Sequence, residues 1–235
     1  MSQYIRKHRI SWPVIVDSSR AFEKSAGVGE ISLQNIWQAR VLTGDGQFVR
    51  ANASDLDAAA KRALEGAGWN VDPENMPQEL KSTWTQVEFG NFAAAAIGLK
   101  RYRRSNKAEV KDAVATLQGY VQNAMNEQIE LAQTTEAGGD SWGAYKLLAE
   151  VQTRFKGYDV PADVNPDAAR LKKIPEVANE LAAKLKLDQA KKVGNVPSPA
   201  AQQRAFRMLK QITEDFPGTE AAGEASSFLA GQAGN

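Results

Sequence analysis

The spacing of apolar side chains changes near residue 70, and the two patterns predict different elements. In the first part they are short and mixed. Ser2–His8 reads as the end of a helix, and Pro13-Val14-Ile15-Val16-Asp17 as a short apolar strand. Arg20 to Ala26 reads as a short helix closed by Gly27, the residue best suited to a left-handed terminator. Ile36–Leu42 favours extended chain, Gly44-Asp45-Gly46 a tight turn, and Gln47–Ala51 a returning strand. Ser54 then predicts a cap with Asp57 three residues on, opening a helix from Leu56 to Ala67. Its expected apolar face is Leu56, Ala60, Ala63, Leu64 and Ala67.

Two prolines and two asparagines in Trp69–Pro77 predict irregular chain, so residues 70–77 are taken as a linker between parts 1–69 and 78–231, with 232–235 a disordered tail. From Pro77 onward the period is helical, and about seven helices are expected. The first covers about Gln78 to Phe89 and the second Phe92 to Arg103. A long one spans Lys107 to Thr134, with Val110, Val114, Leu117, Val121, Met125, Ile129 and Leu131 as its stripe. Residues 136–140 break the pattern, and Ser141–Phe155 resumes it through Tyr145, Leu148, Val151 and Phe155. Asn165-Pro166, Ile174-Pro175 and Ser198-Pro199 each open a further helix, proline being tolerated in a first turn. The last of these carries Phe206, Leu209 and Ile212. Phe216-Pro217-Gly218 stops it, and Thr219 caps a final helix to about Leu229.

Composition narrows the chemistry. The 235 residues carry 29 basic and 28 acidic side chains, so bulk charge gives no reason to bind nucleic acid or a membrane surface. There is no cysteine and one histidine, His8. That excludes thiolate catalysis, dithiol redox chemistry and paired-histidine metal motifs in these residues. No apolar run approaches the length of a secretory signal core or a membrane span. No cofactor is implied, and the chain as written reads as soluble and as no enzyme.

The densest basic run is Arg101-Tyr102-Arg103-Arg104, with Lys100 and Lys107 beside it. It has the residues to hold phosphates, with Tyr102 stacking on a base; as cations at a predicted helix C-terminus they equally complement the helix dipole. Glu176 and Glu180, and the neighbours Glu214 and Asp215, read as solvated or ion-paired carboxylates rather than an acid–base pair. Of Trp12, Trp37, Trp69, Trp84 and Trp142, most are expected in the core, with Trp37 as a candidate for a ligand groove. The candidate binding residues are therefore Trp37, Arg101, Tyr102, Arg103 and Arg104.

The first part also resembles the second half of a thioredoxin-like domain of the redoxin type. The likeness rests on Tyr4 to Asp17, read YIRKHRISWPVIVD, then Phe22, Gly27-Val28, and Arg40 to Val49, read RVLTGDGQFV. It implies a helix and strand, a short helix ending in Gly-Val, and a β-hairpin. Such proteins carry an active-site cysteine loop on an earlier strand–helix unit, expected upstream of Ser2, and a cis-proline before the hairpin. Gly29 to Arg40 contains no proline, so no redox residue carries over. The helical part resembles tetratricopeptide units at Gly90-Asn91-Phe92-Ala93-Ala94-Ala95, with echoes at Gly139-Asp140-Ser141-Trp142 and in Asp215-Phe216-Pro217-Gly218-Thr219-Glu220-Ala221-Ala222.

The expected fold class is thus α+β: a partial thioredoxin-like segment, short strand plus hairpin with flanking helices, followed by an all-α helical-repeat-like domain. A hairpin lacking its neighbour strand leaves Ile36–Leu42 as an open edge, which predicts self-association there. The expected function is a non-catalytic interaction module with a protein or peptide partner, and neither nucleic acid nor membrane. The alternative is a fragment of a thiol-disulfide oxidoreductase-like protein whose cysteine segment lies upstream. Such parents are commonly exported in bacteria, so a longer chain with a signal sequence would be extracytoplasmic.

Overall fold

A computed structural model describes residues 21–29, 32–33 and 37–233 of the chain. The fold is α+β and mostly helical, with a two-stranded antiparallel sheet among the described residues. The chain divides into two compact units: residues up to Ala67 together with those from Ser226 onward, and Gly68–Ala225. The expected helix at Ser2–His8, the strand at Pro13–Asp17, His8 and Trp12 lie outside the described residues.

In the first unit α1 (Ala21–Ser25) ends at Gly27, whose φ of 63° is the left-handed value that glycine adopts without a Cβ clash. β1 (Ala39–Leu42) and β2 (Phe48–Ala51) pair in register from Ala39↔Ala51 to Leu42↔Phe48. Gly44-Asp45-Gly46 makes the turn, and the Thr43 hydroxyl bonds to the Asp45 carboxylate across it. The strand is shorter than expected: β2 ends opposite Ala39, so Trp37 and Gln38 have no rung to join. Arg40 faces Arg50 across the ladder, a repulsive pairing. Its guanidinium instead donates to the carbonyls of Ala26, at 3.0 Å, and Gly27, at 2.7 Å, just past the end of α1. Phe22 meets Phe48 edge to face with centroids 5.6 Å apart, which seats α1 on the hairpin.

α2 (Leu56–Leu64) follows a single 3-10 turn at Ala53–Asp55. Two expectations fail here. The capping box does not form: Asp55, not Ser54, is the capping residue, and its side chain makes no cap bond. The buried side is Ala59 and Ala63, while Leu56 and Leu64 are exposed. α2 packs on β1, and small side chains permit that close approach.

The second unit holds the large core. Residues 70–77 form no helix or strand, yet Val71 and Met76 are buried in that core. The Trp84 indole N–H donates to the Val71 carbonyl at 2.8 Å, and Trp69 meets Trp84 edge to face at 5.1 Å. After a 3-10 turn at Gln78–Leu80 come α3 (Lys81–Glu88), α4 (Phe92–Tyr102), α5 (Ala108–Ala137), α6 (Ser141–Arg154) and α7 (Val164–Leu171). Then follow α8 (Pro175–Gly194), α9 (Pro199–Asp215) and α10 (Glu220–Ala233), whose residues to Ala225 belong to this unit. From Lys81 the described residues thus make eight α-helices, one for each segment that the sequence predicts, against an expected count of about seven. Neighbouring helices pack from α3 through α7, α5 on α6 most extensively; α8 packs on α9 and also on α6, one helix beyond its chain neighbour α7.

The α5 stripe buries Val110, Val114, Leu117, Val121 and Met125, as its period predicts. Its last turns depart: Gln128 and Ala132 are buried and Leu131 is exposed. Gln128 is satisfied there. Its amide donates to the Leu147 carbonyl at 2.9 Å, and its oxygen accepts from Arg154 at 2.7 Å. Arg154 in turn lies over Phe92, and Phe92 stacks on Phe155 at 5.1 Å. The helix joints repeat one device. Gly90, Gly139 and Gly218 all have positive φ and are followed by Asn91, Asp140 and Thr219. Asp140 accepts from the Gly143 N–H at 2.7 Å, and the Thr219 hydroxyl from the Ala222 N–H at 3.1 Å, so the expected Thr219 cap is present. Of the tryptophans expected in the core, Trp142 is buried and Trp84 half-buried, but Trp69 is exposed; Trp37, the groove candidate, is exposed as well.

Candidate functional site

The last turn of α4 carries the basic run. Lys100 and Arg101 lie in the helix, Tyr102 ends it and Arg103 caps it, with the Arg103 N–H on the Leu99 carbonyl at 2.9 Å. Cations there offset the partial negative charge of unsatisfied carbonyls. Lys107 is withdrawn from the run. It pairs with Glu79 at 2.8 Å, and this contact holds the Glu79 carboxyl below its ordinary value and raises the Lys107 ammonium. Among the described residues none of Lys100, Arg101, Arg103 and Arg104 makes an ion pair. Tyr102 is half-buried, packing against the core with the Arg101 guanidinium over its ring at 5.3 Å.

Beside this turn a groove of about 600 Å³ runs between α4, α5 and the 156–159 loop. Its walls carry Lys100, Arg103, Gln118, Gln122, Tyr158 and Asp159. The loop reaches α4 because Gly157, at φ 98°, lets the chain turn back; a Cβ there would lie 2.9 Å from the Ala96 Cβ. The Tyr158 hydroxyl donates to the Phe92 carbonyl at 3.1 Å, and burial pushes its phenol up to about 12. Gly119 lines the same groove from α5, and a Cβ built on it meets nothing within 4 Å. A second hollow on the outer side of α4 is formed by Ile97, Lys100, Arg101, Arg103 and Arg104. Ile97 is 78% exposed within that basic surround.

Of the five candidate binding residues, Arg101, Tyr102, Arg103 and Arg104 fall in this region, and Trp37 belongs to the first unit, where it is 85% exposed. Gln118, Gln122 and Tyr158 escaped the sequence reading. The only local hints were glycines, Gly119 inside a helix and Gly157 in a Lys-Gly-Tyr-Asp loop.

Of the four carboxylates named above, Glu176 is exposed and the other three are held by partners. Asp215 pairs with Lys186 at 3.0 Å and Glu214 with Lys210 at 3.9 Å. Glu180, expected on a solvated face, is buried, and both of its oxygens accept from the Glu220 backbone N–H. Among the described residues no cluster of three or more His, Cys, Asp or Glu is placed to hold a metal ion, and no helix is long and apolar enough to cross a membrane. Comparison of the chain with protein-family models, curated proteins and solved structures finds no match.

Proposed function

We propose that the chain is a non-catalytic protein-interaction module whose helical unit binds a peptide or protein partner through the groove beside α4. The observation that carries this reading is a ready-made groove flanked by four cations that make no ion pair among the described residues. The cations complement the α4 C-terminus, and a cleft lined by one sign of charge also focuses its field on an oppositely charged partner. A tetratricopeptide-like ancestry for the helical unit is supported by its left-handed glycine joints, Gly90-Asn91 and Gly139-Asp140, between packed helices. A thioredoxin-like ancestry for the first unit is supported by the order short helix, left-handed Gly27, hairpin with a Gly-Asp-Gly turn, helix.

Selection of displayed random peptides on the full chain tests the reading. The expected result is enrichment of sequences that compete with one another and are lost on a Gly119→Phe variant. Failure to enrich, or enrichment indifferent to that variant, overturns it.

The second reading, a piece of a larger oxidoreductase-like protein, draws on the two-stranded hairpin with Leu42 and Val49 exposed. An in-frame upstream segment coding for a Cys-x-x-Cys loop decides for it; a stop codon there decides against it.

A further inference from the structure

We infer that the groove takes an extended acidic segment of its partner, with an apolar side chain set among the carboxylates. This rests on the interaction-module reading and names the partner's chemistry.

Charge comes first. Lys100 and Arg103 stand on the groove wall, and Arg101 and Arg104 continue the positive surface around the adjoining hollow. The nearest lysine along the chain, Lys107, is taken by Glu79, and Asp159 is the single acid on the lining. Like charges this close repel one another, and an anionic ligand relieves the repulsion. Shape and polarity come next. Gln118 offers a side-chain amide, which both donates and accepts and so matches the N–H and C=O groups of an extended backbone; Gln122, whose NH2 donates to Asn126 at 3.1 Å, adds its carbonyl oxygen as an acceptor. Ile97, exposed between Lys100, Arg101 and Arg104, gives an apolar side chain of the partner a place beside its carboxylates. A nucleic acid fits less well. Single strands bind through stacking platforms, and the aromatic ring in the basic run is packed against the core.

The test is fluorescence anisotropy with the full chain and a labelled, acetylated and amidated octapeptide of alternating glutamate and leucine. The wild type binds it, and binding weakens as salt rises. A Lys100→Gln, Arg103→Gln double variant weakens it by about ten-fold or more. Gly119→Phe does the same by filling the groove while every charge stays in place. Open space at that Cβ leaves the fold untouched, and thermal melts of both variants match the wild type. The lysine–leucine analogue does not bind.

Equal affinity for that analogue, or for the acidic peptide in both variants, overturns the inference. So does tighter binding of a labelled oligothymidylate that Gly119→Phe leaves unchanged, which marks a general polyanion surface. If displayed peptides enrich on the groove but are neutral, the acidic partner falls and the interaction module stands. If neither acidic probe nor displayed peptide binds, both fall.

Discussion

The Glu180 carboxylate accepts the backbone N–H of Glu220 with both oxygens, at 3.0 and 3.2 Å, forty residues along the chain. That N–H is the first of α10 and has no partner inside the helix. A buried anion on α8 satisfies it and complements the positive end of the α10 dipole. The Glu220 side chain turns the other way to Lys146 of α6 at 2.5 Å, and this contact holds its carboxyl below the ordinary range. Three helices therefore meet on two glutamates. Glu180→Leu removes the acceptor and the favourable charge at the α10 N-terminus, a cost of about 1 kcal/mol. Glu180→Gln keeps one oxygen and loses less. Urea unfolding checks the order; a Leu variant as stable as wild type overturns it.

Gly98 sets the separation of α3 and α4. A Cβ built there lies 2.1 Å from the Thr83 Oγ1 and about 3 Å from its Cγ2, and Thr83 is buried with little room to move. Alanine normally stabilises a helix interior over glycine by about 1 kcal/mol. Here the overlap reverses the sign, with an expected loss of about 1–3 kcal/mol. Adding Thr83→Ala to Gly98→Ala removes the blocking atoms and recovers part of it. A stabilised single variant in a thermal melt rejects the close packing.

These two contacts mark what the sequence does and does not disclose. Val110 to Met125 was legible because one helix face repeats every three to four residues whatever it packs against. The joints at Gly27, Gly139 and Gly218 were legible because a left-handed residue is a local requirement. Leu56 and Leu64 misled, since the neighbour of α2 selects the alanine side and no local rule records that choice. Gln128 and Glu180 look like surface residues until Arg154, Leu147 and Glu220 arrive from distant parts of the chain. The basic run was visible, but its groove was not, because Gln118 and Tyr158 reach it from separate elements.

Tyr158 makes stability depend on alkaline pH. Burial raises its phenol to about 12 from an ordinary value of 10.0, so the folded chain favours the neutral form. The stabilisation is complete below the ordinary value and is lost as pH rises through about 12. Tyr158→Phe gives up the hydrogen bond to the Phe92 carbonyl, about 1 kcal/mol near neutral pH, and the gap to wild type narrows in strong alkali. Melts across that range check the convergence, and absorbance titration should show a late-ionising component that Tyr158→Phe removes, Tyr120 being raised by burial as well. A constant gap between the two proteins at every pH is the contrary result.

The hairpin gives the last prediction. β1 and β2 are the two strands of the sheet among the described residues, and Leu42 at the end of β1 is 57% exposed. Its cross-strand partner is Phe48, which meets Phe22 edge to face. An exposed apolar side chain at the end of a short strand, with exposed Val49 on the other face of the hairpin, favours pairing with a second copy, and a lysine on such an edge is an effective block. The full chain should therefore show concentration-dependent association in sedimentation velocity, and Leu42→Lys should shift it to monomer with its melting temperature retained. Val49→Lys, on the strand opposite, separates the two sources of stickiness: if it alone abolishes association, the exposed face of β2 rather than β1 carries the contact. A wild-type chain that stays monomeric at every concentration reached rules out assembly through the hairpin.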